Sequence, residues 1–121
     1  MANTFKVVTF AAEPASAGTA YKMYTCAGST TTVVLGLILT NIHSSAVTAE
    51  VELVSDTGSR GGANNVANGT SFLVKDVSIP AGSSLELLSG GKVVLETGDK
   101  IQIDCSVADK LSGTLSIMEI T

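Results

Sequence analysis

Apolar and polar residues alternate along much of this chain, as they do in strands that bury one face. The clearest case follows Lys100, where positions 101, 103, 105 and 107 are apolar and the positions between them are polar or charged. Residues 47–53 and 115–117 alternate in the same way. Because successive side chains of a strand point to opposite faces of the sheet, each alternation predicts a strand with one buried face.

Residues 33–42 are almost continuously apolar and predict a strand that is buried on both faces. Short turn-forming segments separate the strands, and no window of helical length carries an apolar stripe with a period of 3.6 residues. These patterns predict an all-β fold, a single antiparallel β-sandwich or jelly-roll-like domain over residues 1–121 with eight or nine short strands. The predicted turns are Pro80-Ala81-Gly82-Ser83, Ser89-Gly90-Gly91, Thr97-Gly98-Asp99 and Leu111-Ser112-Gly113.

Two segments interrupt this rhythm. Residues 11–18 are either an ordinary loop or a hinge, and a hinge would make residues 1–10 an arm that reaches a neighbouring subunit. Residues 57–70 are rich in Gly and Asn and form either a solvated hairpin tip or a loop that orders against a partner. The arm and the loop supply the candidate partner-interface residues: Phe5, Val7, Phe10, Arg60, Asn64, Asn65, Val66 and Asn68.

Charge excludes several classes of partner. Charged residues make up 15% of the 121 residues, against roughly 25% in an average domain. The net charge is −4 and no cluster of Lys and Arg exists, so we expect no binding to nucleic acid or to an anionic membrane. The apolar stretches are too short to span a bilayer, and the N-terminus lacks the features of a signal peptide, so we expect synthesis in a cytosol.

Asp56-Thr57-Gly58 is the strongest catalytic motif in the chain, because it matches the active-site loop of aspartic proteases. Those enzymes need two such loops, so that two carboxylates share a proton and activate water. A chain with one loop would have to dimerise, and residues 59–65 are too rich in Gly and Asn for a firmly seated loop. A protease that uses Asp56 is therefore kept only as a minor alternative.

Other motifs lack the geometry that their chemistry requires. Ser89 and Lys92 have the spacing of serine acylases, but two glycines separate them in a predicted hairpin instead of a helical turn. His43 is the only histidine, no Gly-x-Ser-x-Gly elbow exists, and we expect His43 at a strand end or in a turn. With Cys26 and Cys105 it cannot complete a zinc site. We therefore expect no catalytic residue, metal or cofactor, a buried Cys105, and leave a Cys26–Cys105 bond open.

From Leu73 onward the chain resembles a family of small tailed-phage virion proteins. The similarity follows a strand, then Ile79-Pro80-Ala81-Gly82-Ser83, a second strand, Gly91-Lys92 with an apolar run, and Glu96-Thr97-Gly98-Asp99 before an alternating strand. In the N-terminal half only residues 34–41 match the general style. The resemblance implies a structural component of the virion, and it carries over no catalytic residues.

We therefore expect a non-enzymatic capsid cement or decoration protein that binds and stabilises the lattice of the major capsid protein. It would act as a homotrimer in the virion after assembly in the host cytoplasm. The alternative within the virion is a tail component, such as a fibre, spike or baseplate accessory. Aromatic residues are only 4% of the chain and Trp is absent, which disfavours a glycan-binding tail tip.

Overall fold

The computed structural model describes residues 2–55, 69–88 and 91–121, and their regular structure consists of β-strands. Within those residues the strands are β1 (Asn3–Glu13), β2 (Tyr21–Thr25), β3 (Thr31–Asn41), β4 (Val47–Val54), β5 (Thr70–Ile79), β6 (Ser84–Leu87), β7 (Val93–Leu95), β8 (Lys100–Cys105) and β9 (Leu111–Ile120). The predicted turns at residues 80–83 and 97–99 are confirmed, and residues 89–90 lie outside the described part of the chain.

The strands form two antiparallel sheets that pack face to face. The first sheet has the order β1-β9-β3-β6, with β7 beside β6 on the same side of β3. The second sheet has the order β2-β8-β4-β5. This arrangement confirms the predicted all-β, sandwich-like fold.

The core lies between the sheets and is built from the inward half of each alternating strand. In β8 the buried residues are Ile101, Ile103 and Cys105, as the alternation predicts. In β9, Leu115 and Ile117 are buried on the facing sheet. Full burial of one such aliphatic side chain stabilises the fold by about 1.5–3 kcal/mol. Cys26 and Cys105 are both buried, and both are free thiols.

Strand β1 is part of the first sheet and not a detached arm. Residues 3–10 pair without a register shift with residues 113–120 of the same chain. The strand continues to Glu13, so the hinge proposed for residues 11–18 does not separate it from the domain. Val8 and Phe10 hold β1 in place because their side chains pack into the core.

A buried asparagine joins the end of β3 to the second sheet. The Nδ2 group of Asn41 donates hydrogen bonds to the backbone oxygens of Ser45 and Ile79, both at 2.9 Å. Its Oδ1 accepts a hydrogen bond from the backbone N–H of His43 at 2.8 Å. These bonds satisfy the buried amide and place His43 in the bend after β3, as expected from the sequence.

Residues Leu111-Ser112-Gly113 correct one sequence-based expectation, because they form the start of β9 instead of a turn. The aromatic ring of Phe10 lies over Gly113, where a Cβ atom would come within 2.6 Å of the Phe10 Cζ. The same ring meets Tyr21 edge to face, with a centroid distance of 5.3 Å and an interplanar angle of 63°. The glycine is therefore required by packing within a strand and not by chain reversal.

We predict that Gly113→Ala destabilises the fold by about 1–3 kcal/mol, because the new methyl group must displace the Phe10 ring. Urea unfolding followed by circular dichroism measures the change. Gly28→Ala is the matched control, since Gly28 has open space around it and no left-handed backbone conformation. Equal stability of the two variants would contradict the packing explanation.

Candidate interaction surface

The outer face of the first sheet is the side turned away from the core. In β9 the odd-numbered residues, such as Leu115 and Ile117, point inward. The even-numbered residues of β9 therefore point outward. Cross-strand partners share a face, which extends this assignment to the neighbouring strands. The outward residues are Asn3, Phe5, Val7, Thr9, Ser112, Thr114, Ser116, Met118, Ile120, Thr31, Val33, Ile38, Thr40, Val94, Ser84 and Glu86.

Four apolar residues form a continuous line across this outer face. Phe5 is opposite Met118, Met118 is opposite Val33, and Val33 is opposite Val94. We call this line the apolar row. Its two ends are the most exposed, with Phe5 at 72% and Val94 at 57%. The row therefore crosses four neighbouring strands, with exposed side chains at both ends and the half-buried Met118 and Val33 between them.

The outer face carries very little charge, since Glu86 is the one charged residue in the set that faces outward. Ile38 adds an exposed aliphatic side chain on β3. Beside it, a shallow depression of about 280 Å³ opens where Gly36 contributes no side chain. A sheet face with exposed apolar side chains and almost no charge is typical of a surface that another protein covers.

Strand β3 shows how this face differs from the sequence-based expectation. Its continuous apolar run predicts burial on both faces, but only the inward side is buried in the chain. Val34, Leu37 and Leu39 lie in the core, whereas Ile38 is exposed. The apolar run of β3 therefore places apolar side chains on its outer side as well, where none is fully buried.

The free edge of β1 adjoins the same face. Ala2 and Thr121 exchange both of their backbone hydrogen bonds, at 3.1 and 3.0 Å. Hydrogen-bonded and non-hydrogen-bonded pairs alternate along an antiparallel ladder, so the even residues of β1 are bonded to β9. The backbone groups of the odd residues, Asn3, Phe5, Val7 and Thr9, consequently point away from β9. Among the described strands, none pairs with β1 on that side.

A polar cluster fixes the inward side of the same strand end. The Glu119 carboxylate lies 2.6 Å from the Lys6 ammonium and accepts a 2.6 Å hydrogen bond from the Tyr24 hydroxyl. The hydroxyl of Tyr24 also lies 2.8 Å from the Thr32 hydroxyl, and Thr32 is fully buried. The cluster links β1 and β9 of the first sheet to β2 of the second sheet, and it keeps both charges off the outer face.

These contacts shift two pKa values. The hydrogen bonds from Lys6 and then Tyr24 hold the pKa of the Glu119 carboxyl below its usual range. Burial, followed by the hydrogen bond to Glu119, raises the pKa of Tyr24 from 10.0 to about 12. The cluster thus keeps a charged carboxylate and a neutral phenol in contact over a wide pH range.

The candidate residues from the sequence fall into three groups. Phe5 and Val7 lie exposed on the outer face, as an interface residue should. Phe10 differs, because its even position turns it inward and leaves it 8% exposed in the core. The other candidates, Arg60, Asn64, Asn65, Val66 and Asn68, lie outside the described residues, as do Asp56 and Ser89.

Sequence reasoning missed the central members of the apolar row, Met118 and Val33, and its far end, Val94. Each lies at an outward position of a strand. In the sequence these positions are recognisable only as parts of an alternating or an apolar segment. Their alignment depends on the register among four strands that are distant in sequence.

A second depression, of about 220 Å³, lies on the second sheet and is lined in part by Glu50, Asp76 and Asp104. Its carboxylates already have partners within the chain. Glu50 forms an ion pair with Lys75 at 3.1 Å, and Asp104 accepts a backbone hydrogen bond from Gly18 at 3.2 Å. In the described ranges no group of His, Cys, Asp and Glu is arranged to hold a metal ion.

Comparisons of the chain with protein-family models, with curated proteins and with solved structures gave no match. Residues 2–55, 69–88 and 91–121 contain no helix long and apolar enough to cross a membrane.

We predict that Tyr24 ionises about two pH units above an ordinary tyrosine, near pH 12. The chain has two tyrosines, so Tyr21→Phe leaves Tyr24 as the only phenol and keeps the ring that contacts Phe10. The absorbance of the phenolate at alkaline pH gives the midpoint, and circular dichroism shows that the fold persists. A midpoint near 10 in the folded variant would contradict the burial of this hydroxyl.

We predict that Glu119→Gln weakens the fold by roughly 1 kcal/mol at neutral pH and reduces its sensitivity to acid. A carboxyl with a lowered folded pKa contributes stability above its unfolded pKa of about 4.3, and loses it as the pH falls through the folded value. Urea unfolding at neutral and at acidic pH measures this difference. Lys6→Gln should act in the same direction. An unchanged pH dependence in Glu119→Gln would refute the assignment.

Proposed function

We propose that this chain is a non-enzymatic structural protein of a bacteriophage virion, and that it binds and stabilises the lattice of the major capsid protein. The observation that carries the proposal is the outer face of the first sheet, which is nearly uncharged, carries the apolar row with its exposed ends and is left uncovered by the described residues. The resemblance of residues 73–101 to small tailed-phage virion proteins supports the same setting.

The physical role of such a protein is to add contacts between neighbouring capsid subunits. Burying an exposed apolar surface contributes about 25 cal/mol per Å², so a face that contains Phe5 and Val94 provides a moderate affinity for each copy. A capsid presents the same site many times. A protein that contacts two of these sites at once binds more tightly, because its second contact is intramolecular. Many modest contacts then resist the outward pressure of packaged DNA without catalysis.

The copy number in purified virions tests the proposal against a tail location. We predict that quantitative mass spectrometry finds hundreds of copies per particle, in a fixed ratio to the major capsid protein. Such a number follows from the repetition of the lattice. A dozen copies or fewer would contradict capsid binding and favour a tail component.

A binding experiment with stripped capsids tests the surface itself. We expect Val94→Asp to weaken binding by at least about tenfold, because the new carboxylate must be desolvated within the interface. Phe72→Asp is the matched control, since Phe72 is a similarly exposed apolar residue on β5 of the other sheet. Equal loss in both variants, or in neither, would count against the outer face as the capsid contact.

A further inference from the structure

We propose that two copies of this chain associate through β1, whose free edge pairs antiparallel with the β1 edge of a second copy, with Phe5 on the two-fold axis. The two first sheets would then form one continuous sheet. This inference concerns the isolated protein and does not depend on the proposed function in a virion.

The backbone of β1 supplies the chemistry of recognition. The N–H and C=O groups of Asn3, Phe5 and Val7 point to the free edge, because the alternate residues are bonded to β9. Such groups are complementary to any strand with a free edge of its own. A second copy brings the same edge, and a two-fold axis brings the two edges together in antiparallel orientation.

The two edge strands of the second sheet, β5 and β2, are less suited to pairing. Strand β5 is comparably long, but its register shifts twice against β4, and Asp76 has a left-handed backbone with φ of 51°. Lys75 and Asp76 add charges at that irregularity. Strand β2 has only 5 residues and also shifts in register. Bulges, charges and short length are the devices that prevent edge pairing, and residues 3–10 of β1 carry none of the backbone irregularities.

Lys6, the one charged residue among residues 3–10 of β1, disfavours one of the possible registers. Lys6 points inward to Glu119, but an axis at Lys6 would place the two lysines directly opposite each other. An axis at Phe5 instead places Lys6 opposite Thr4 of the second copy and Val7 opposite Asn3. It also places the two Phe5 rings side by side, a cross-strand aromatic pair that stabilises antiparallel sheets.

The apolar row gives a second, independent reason for this register. Phe5 is the β1 end of the row that runs through Met118 and Val33 to Val94. Pairing at Phe5 joins the rows of both copies end to end, so one uninterrupted apolar line crosses the whole sheet. Pairing at Val7 would offset the two rows by four residues, or roughly 13 Å along the strand.

This arrangement differs from the homotrimer expected from the sequence. A three-fold ring needs two different complementary surfaces, whereas β1 is complementary to itself. We therefore expect sedimentation velocity of the purified chain to show a monomer–dimer equilibrium, with dimer dominant at about 100 µM. A monomer at that concentration, or a trimer, would overturn the proposal.

Val7→Pro tests the edge without breaking the pairing inside the chain. The N–H of Val7 points outward, so proline removes a donor that only the second copy uses. We expect this variant to keep its thermal unfolding midpoint within a few degrees and to dimerise at least about tenfold more weakly. Phe72→Ser, which removes an exposed apolar side chain from β5, should dimerise as the parent does. A folded Val7→Pro variant that dimerises like the parent would overturn the proposal.

Cysteine cross-linking tests the register. In the proposed dimer the two Phe5 Cα atoms form a hydrogen-bonded pair about 5.5 Å apart, a separation that a disulfide spans. The two Val7 Cα atoms would be roughly 14 Å apart, beyond its reach. Under mild oxidation Phe5→Cys should give a covalent dimer and Val7→Cys should not. Both native cysteines are buried, which limits background reaction. Cross-linking of Val7→Cys alone would overturn the Phe5-centred register.

Discussion

The pairing of β9 with both β1 and β3 is the constraint on which the rest of the molecule depends. Once Leu115 and Ile117 face the core, the direction of each side chain that is paired with β9 follows from the register. The same ladder fixes the direction of the backbone groups. Along residues 3–10 of β1, the N–H and C=O groups of alternate residues point either to β9 or to the free edge. Side-chain face and backbone direction are therefore coupled, and Phe5 and Val7 present an apolar side chain and an unpaired backbone together.

This coupling explains why the exposed apolar residues matter more as a set than one by one. A single exposed valine or phenylalanine is ordinary on a protein surface. Here the register aligns Phe5, Met118, Val33 and Val94 across four strands, next to a long regular edge. The second sheet contrasts with this, since its long edge strand is interrupted by bulges and carries Lys75 and Asp76. The second sheet thus carries features that prevent edge pairing, whereas the first sheet presents its apolar row beside a regular edge.

Much of the fold follows from local sequence, because a period of two residues predicts both a strand and its buried side. This held for β8 and for most of β9. It failed where a distant residue decides the outcome. Gly113 has the appearance of a turn residue, and only the Phe10 ring, which lies in another strand, shows why glycine is needed. The uncovered side of β3 was equally hidden, since an apolar run does not reveal which of its faces meets the second sheet.

The candidate surface was predictable in part for the same reason. Phe5 and Val7 were identified from the N-terminal strand, but Phe10 was grouped with them although its even position buries it. The apolar row required the register of four strands, which no local pattern contains. Long-range pairing, and not residue type, separates a core aromatic from a surface aromatic in this strand.

The polar cluster behind β1 bears directly on the association proposed for its edge. Thr4 lies opposite Glu119, so the ion pair with Lys6 and the bond to Tyr24 are adjacent to Phe5 along the strand. Terminal strands commonly fray, and a frayed strand must lose conformational freedom before it can pair. By fixing the inward side of residues 4–6, the cluster keeps the outward backbone groups in an extended, bonding-ready geometry. The ion pair of Lys6 and Glu119 lies on the inner side of the sheet. It would thereby reduce the entropic cost of the proposed pairing between two β1 edges.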